Sequence, residues 1–132
     1  MHITADSNVL LRVLVADDAR QSRLALQAME AATTIAVSLQ SLCELTWVLD
    51  RRYEISRADI AATIRQLLDT RGVIVNRPAV AAGLAMLEAG GDFADGIIAY
   101  DGQWLGAESF VSFDRKAVRL LGRQGILARL LK

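Results

Sequence analysis

The feature that most constrains the fold is an alternation of short β-prone runs with longer segments of helical periodicity. The segments between the runs carry apolar side chains three or four residues apart. Two predicted core stripes are Leu24, Ala28 and Ala31, and Leu42, Leu45 and Leu49. Ser38 and Ser56 are predicted to cap the starts of two helices. The β-prone runs are residues 2–5, 34–37, 73–75 and 109–113. Strands separated by helices are typical of a parallel sheet, because each crossover must return the chain to the same end of the sheet. We therefore predict an α/β fold, a three-layer α/β/α sandwich with a central, mainly parallel sheet.

The chain is predicted to form one domain over residues 1–132. This length suffices to bury a core, and no linker, repeat or low-complexity segment interrupts it. Hydrophobic residues make up 53% of the composition, which indicates buried parallel strands, an apolar interface between two copies, or both. We expect a homodimer, and the candidate surfaces are the helices predicted within residues 57–71 and 78–89.

Neither a membrane span nor a signal peptide is expected. The apolar run at 9–15 is interrupted by Arg12 and is shorter than the roughly 20 residues that a membrane helix needs. Asp6 lies where the apolar part of a secretory signal would begin. The single Cys43 excludes an internal disulfide, which fits a reducing compartment. The expected location is therefore the cytoplasm.

Candidate functional residues are concentrated in one stretch, Gly-Asp-Phe-Ala-Asp-Gly-Ile-Ile-Ala at 91–99. Asp92 and Asp95 are three residues apart at the predicted start of a helix and share one of its faces. Capping explains Asp92 well, since acids are favoured at a helix N-terminus. It explains Asp95 less well, because residues 96–99 are predicted to be buried and a charge at the edge of a core needs a partner. We predict that this partner is a metal ion.

Three further acids are predicted to share that ion. Asp6 and Asp114 each follow a predicted strand, and parallel sheets bind ligands beyond the carboxyl ends of their strands. Glu44 lies in the helix that follows the strand at 34–37. Taken singly, Asp6 and Asp114 are also explained as helix caps, and Glu44 as a solvated position. The coincidence of these acids along one edge of the predicted sheet indicates a site.

The residue types at this edge of the predicted sheet indicate which metal ion and which reaction the site would support. Several carboxylates in one cleft cannot all stay ionised without a cation. Oxygen ligands without His or Cys favour Mg²⁺ or Mn²⁺, and an open acidic cleft suits the hydrolysis of phosphodiesters. The only histidine is His2, and no glycine-rich phosphate loop is present, so a Ser-His-Asp mechanism and a nucleotide-binding loop are both excluded.

Together these motifs resemble a PIN domain, and more narrowly the small stand-alone PIN toxins of VapC type. The resemblance covers essentially the whole chain. It rests on Asp6-Ser7-Asn8, Glu44, the stretch at 91–99 and Ser112-Phe113-Asp114-Arg115. It implies a Mg²⁺- or Mn²⁺-dependent endoribonuclease that acts on RNA, a homodimer, and a cognate antitoxin whose tail blocks the cleft.

The resemblance also implies roles for individual residues. Four acids match the catalytic and metal-binding quartet of the family, namely Asp6, Glu44, Asp95 and Asp114. Asp92 matches an additional acid, for which metal binding and capping both remain open. Asn8 and Ser112 match polar residues that support the first and last acids. Ser7 and Ser112 stand where Thr is commoner, and Gly96 stands where Ala is usual, which is expected to loosen its helix slightly.

Two other classes of protein are weighed against this one. A phosphoacceptor signalling domain also places acids at strand ends, but it needs an Asp after a central strand. The third predicted strand here ends in Val75-Asn76 instead. The other alternative is a catalytically weak or silent PIN-like module that binds partners, and the complete set of acids is an argument against it.

Overall fold

The computed structural model describes all 132 residues, which divide into two compact units, Met1–Asn76 and Arg77–Lys132. Strands and helices alternate within each unit, and every strand pair is parallel. The predicted α/β fold built on parallel strands is confirmed. The prediction of a single domain stays a prediction. None of the helices has the length and hydropathy that a membrane crossing would require.

The N-terminal unit is built on a three-stranded sheet. Its elements are β1 (His2–Thr4), α1 (Ser7–Leu14), α2 (Ala19–Ala31), β2 (Thr34–Ala36), α3 (Leu39–Arg51), α4 (Arg57–Leu68) and β3 (Val73–Ile74). The strand order is β1-β2-β3, so the central strand is β2. Ile35 of this strand pairs with Ile3 on one side and with Val73 on the other, and it is buried.

Two helix starts that the sequence predicts are confirmed by their caps. The Ser38 hydroxyl accepts a hydrogen bond from the Ser41 N–H at 3.0 Å, and the Ser56 hydroxyl accepts one from the Asp59 N–H at 3.2 Å. The predicted core stripe of α3 is buried as well. It consists of Leu42, Leu45 and Leu49. This burial fixes the rotation of α3, and its opposite face, which carries Glu44, is therefore exposed.

The predicted core face of α2 is wrong. The sequence favours Leu24, Ala28 and Ala31, yet all three are exposed, and the helix buries Ala25 and Met29 instead. This helix packs against α1. Leu24 and Ala25 both line a surface hollow with Val9 and Arg12 of α1, but only Ala25 is buried.

The C-terminal unit pairs two helices with a second small sheet. Its elements are α5 (Arg77–Glu88), α6 (Phe93–Trp104), β4 (Phe110–Ser112), α7 (Arg115–Arg123) and β5 (Ala128–Leu130). Periodicity allows either a strand or a helical turn at 126–131; the structure places β5 there, paired in parallel with β4. Met86, Ala99, Leu120 and Leu121 form a buried cluster in this unit.

Gly96 is explained by packing, which corrects the expectation that it merely loosens its helix. A Cβ atom at this position would overlap the carbonyl oxygen of Ala82 in α5. One at Gly83 would lie 2.6 Å from the ring of Phe93. The two helices therefore cross with their backbones close together, and the crossing requires glycine on both.

Ile98 is a second correction within the same helix. The sequence suggests that the whole run 96–99 is buried, but the Ile98 side chain is 56% exposed whereas Gly96, Ile97 and Ala99 are buried. The run is longer than one helix face is wide, so one of its members must point away from the contact.

The helices expected to form a dimer surface expose no large hydrophobic side chain. The exposed large hydrophobic residues of the N-terminal unit lie elsewhere, at Met1, Leu24, Leu26, Trp47 and Ile74. Leu24 and Leu26 of this set lie on α2, and the expected homodimer stays a prediction.

We predict that Gly96→Ala lowers the free energy of unfolding by about 1–3 kcal/mol, because the added methyl group forces the close helices apart. Gly102→Ala, in the same helix, is the matched control, since its nearest neighbour would be the Ala107 Cβ at 3.8 Å. There the better helix propensity of alanine should add up to roughly 1 kcal/mol. Urea unfolding of both variants measures the two effects, and equal stability of the pair would contradict the packing role of Gly96.

Candidate functional site

Asp6 lies two residues beyond β1 and is the N-cap of α1. Its Oδ1 atom accepts a hydrogen bond from the Val9 N–H at 3.0 Å, and the side chain is exposed. The cap uses one oxygen of the carboxylate. A carboxylate has two oxygens with several acceptor sites, so the second oxygen can still bind a cation.

Glu44 is held from two directions within the N-terminal unit. The Ser7 hydroxyl donates a hydrogen bond to its Oε2 atom at 2.8 Å, and the Gln40 side-chain amide lies 3.5 Å from its Oε1 atom. Ser7 directly follows Asp6 in the chain. The structure therefore ties Glu44 to the same turn that carries Asp6.

The contact between Ser7 and Glu44 is one that sequence reasoning missed. The two residues are 37 positions apart, and no local periodicity connects them. The available signal was the hydroxyl group that Ser7 shares with the threonine commonly found there. Asn8 lies beside Ser7 in the first turn of α1 and lines a surface hollow with Asp6, Val9 and Arg12.

Asp92 and Asp95 occupy the start of α6 as predicted. Asp92 is the N-cap, since its Oδ1 atom accepts a hydrogen bond from the Ala94 N–H at 3.0 Å. Asp95 lies in the first turn and is half-buried, whereas Asp92 is exposed. Capping accounts for the position of Asp92 without excluding metal binding there, whereas Asp95 is not a cap.

Asp114 repeats the arrangement of Asp6 in the C-terminal unit. It lies two residues beyond β4 and caps α7, with its Oδ1 atom accepting a hydrogen bond from the Ala117 N–H at 3.1 Å. The Ser112 hydroxyl accepts a hydrogen bond from the Asp114 N–H at 3.0 Å. Ser112 thus fixes the turn that presents Asp114, consistent with the supporting role predicted for it.

The three acids of the C-terminal unit interact electrostatically. Burial raises the pKa of the Asp95 carboxyl above its ordinary value of 3.8, and the charges of Asp92 and Asp114 raise this pKa further. Neither Lys nor Arg forms an ion pair with any of the three. The charge of Asp95 is therefore not balanced by a neighbouring cation, and a bound cation would relieve it.

The donor chemistry of these acids fits a hard divalent cation, because every candidate ligand is a carboxylate oxygen. Within neither unit do three His, Cys, Asp or Glu side chains converge in a geometry that would hold a metal ion. The predicted acids fall into two sets, one in each unit. They are Asp6 with Glu44, and Asp92 with Asp95 and Asp114.

A polar network near the first set also escaped the sequence analysis. Arg12 Nη1 lies 2.6 Å from Asp17 Oδ1, and the Tyr53 hydroxyl donates to Asp17 Oδ2 at 2.6 Å. The Tyr53 hydrogen bond, and after it Arg12, lowers the pKa of the Asp17 carboxyl. Asp17 therefore joins the end of α1 to the end of α3, and these are the helices that carry Asp6 and Glu44.

Comparison with known families supports the resemblance noted from the motifs. The family model described as PIN domain matches residues 3–121, which runs from β1 into α7 and includes all five acids. No curated protein matches the chain.

We predict that Asp95→Asn makes the metal-free protein more stable than the parent at neutral pH. A raised pKa means that the folded protein binds the Asp95 proton more tightly than the unfolded chain does. The contribution of this group to stability is thus fully present below pH 3.8 and is lost as the pH rises through the higher folded-state pKa. The difference between variant and parent should therefore shrink on acidification, as urea unfolding in EDTA from about pH 3 to pH 8 would measure.

Asp17→Asn is a control for which the opposite change in stability is expected: it should be less stable than the parent at neutral pH. Because the pKa of Asp17 is lowered, its stabilising contribution is present at neutral pH and is lost as the pH falls through that lower value. A structural first-turn acid at position 95 would instead cost roughly 0.3–1 kcal/mol when replaced. Loss of stability in metal-free Asp95→Asn at neutral pH would contradict the electrostatic role of Asp95.

Proposed function

The chain belongs to the PIN domain family, and from this premise we propose that it is an endoribonuclease that uses Mg²⁺ or Mn²⁺ to hydrolyse RNA phosphodiester bonds. PIN domains are generally metal-dependent nucleases. The observation that carries the proposal is the family match over residues 3–121, which contains all five acids. Among them Asp95 has a raised pKa, because burial and, after it, the charges of Asp92 and Asp114 disfavour its ionised form. A bound cation would relieve this cost of ionising Asp95.

We assign metal binding and catalysis to Asp6, Glu44, Asp95 and Asp114. When bound, the metal lowers the pKa of a water molecule and neutralises charge on the phosphate. Asp6 and Asp114 are oriented by their caps, which occupy one oxygen of each carboxylate. The Ser7 hydroxyl fixes Glu44. Asp92 holds the start of α6 and adds negative charge beside Asp95.

Metal binding and catalysis are tested together by replacing single acids. Added Mn²⁺ should stabilise the parent by RT ln(1 + [L]/Kd), about 2.7 kcal/mol at one hundred times Kd. We expect Asp6→Asn, Glu44→Gln, Asp95→Asn and Asp114→Asn to lose most of this stabilisation and to reduce RNA cleavage to background. Melting curves with and without Mn²⁺, together with cleavage of a generic RNA, give the two readouts.

The matched control is Asp59→Asn. Asp59 is also an acid in the first turn of a helix, but it lies exposed on α4 and belongs to neither set. Its replacement should leave both Mn²⁺ stabilisation and cleavage unchanged. A quartet variant that cleaves RNA at the parent rate would remove that residue from the proposed site, and a parent that does not cleave with either metal would favour the silent binding module.

We further propose that the protein is the toxin of a toxin–antitoxin pair of VapC type and forms a homodimer. The antitoxin would place an Arg against the carboxylates, because a guanidinium binds them bidentately and supplies the charge of the cation.

Light scattering of the protein alone should give about twice 14.4 kDa. Expression of the protein should arrest growth, and coexpression of a cognate antitoxin should relieve the arrest. A complex whose carboxylates stay open to solvent would contradict the role of the Arg.

A further inference from the structure

The exposed face of α3 carries more than Glu44. Gln40, Glu44, Trp47 and Arg51 are separated by four, three and four residues, so they lie on one stripe along the helix. The opposite face is buried through the leucine stripe described above. Since that burial fixes the rotation of the helix, the stripe is presented to solvent as a unit.

Trp47 and Arg51, which we call the Trp47–Arg51 pair, contact each other on this stripe. The indole is 56% exposed, and the guanidinium carbon of Arg51 lies 5.8 Å from the centroid of its ring. This is the distance of a cation–π interaction. Arg51 also has its Nε atom 3.7 Å from Asp50 Oδ2, but both side chains are well exposed, and an exposed ion pair of this kind is weak.

The stripe is long enough to contact a short segment of a nucleic acid strand. Trp47 lies about 4.5 Å, and Arg51 about 10.5 Å, along the helix axis from Glu44. Successive bases of a stacked strand rise by roughly 3.4 Å. A strand that follows the helix past Glu44 can therefore place a base on the indole and a phosphate beside Arg51.

We propose that the Trp47–Arg51 pair is a platform for single-stranded RNA, on which the indole stacks one base and the guanidinium binds the backbone. Aromatic faces and guanidinium groups are the chemistry by which proteins hold unpaired RNA. The inference rests on the proposed nuclease function and adds a substrate-binding subsite one helical turn from Glu44. The platform binds any base, because every base has a π face.

Intrinsic fluorescence tests the platform directly, because the chain has two tryptophans. In the Trp104→Phe variant only Trp47 emits, and a short single-stranded RNA should quench this emission in EDTA, where no cleavage occurs. In Trp47→Phe only Trp104 emits, and the same RNA should leave it unchanged. An abasic strand of equal length should quench neither, since it carries the charge of RNA without the bases.

Affinity of the same RNA for the metal-free protein provides the second readout. Trp47→Ala should weaken binding by about 5- to 100-fold, whereas Trp47→Phe, which keeps an aromatic face, should retain most of the affinity. Arg51→Ala should weaken binding and reduce its dependence on salt. Trp104→Ala is the matched control, because this exposed indole lies about 14 Å along α6 from Asp95 and pairs with Tyr100.

The outcomes separate the platform from the nuclease. Cleavage with Mn²⁺ together with no quenching in Trp104→Phe and an unchanged RNA affinity in Trp47→Ala would overturn the platform and leave the nuclease standing. Quenching without cleavage would support the platform and count against the nuclease. If Trp47→Ala halves the mass measured by light scattering, the indole is covered by a second copy of the chain, and the platform is overturned. The same conclusion follows if the parent binds no RNA.

Discussion

The candidate site depends on aspartates that use one carboxylate oxygen to cap a helix and keep the other oxygen available for a cation. Asp6, Asp92 and Asp114 each use one oxygen to accept a backbone N–H at the start of a helix. The helix start gains a hydrogen bond that it would otherwise lack, and the side chain loses its rotational freedom. Capping and metal binding are therefore compatible roles. Capping alone is not a functional signal, because Asp18 caps α2 in the same way and belongs to neither set.

The motif at 91–99 combines two independent demands. Its aspartates supply a cap and a half-buried charge, whereas its glycines are required because neighbouring atoms leave no room for a side chain. A Cβ atom at Gly91 would lie 2.9 Å from side-chain atoms of both Met86 and Leu120, and Gly96 faces the α5 backbone. The space at Gly91 is thus filled by Leu120 of α7. The start of α6 therefore lies close to α7, the helix that Asp114 caps.

The sequence is sufficient for the helix starts at Ser38 and Ser56 and for the first four strands, because caps and short apolar runs are local signals. Ser38 and Ser56 illustrate this for helices. It is insufficient for α2, where two faces of similar hydrophobicity compete and only the partner helix selects Ala25 over Leu24. All five acids were named from the motif pattern, yet the partners of Glu44 and Asp17 were not. Those partners are Ser7 and Tyr53, more than thirty residues away, and such contacts follow from the tertiary fold alone.

The exposed face of helix α3 carries side chains that the packing of the core does not require. The buried leucines determine which residues face solvent, and they place few demands on the identity of those residues. A glutamate held by Ser7 and a tryptophan paired with Arg51 occupy neighbouring turns of this face. Neither contributes to the core, so packing accounts for their position but not for their chemistry. The proposed RNA platform would account for an exposed indole one helical turn from a positioned carboxylate.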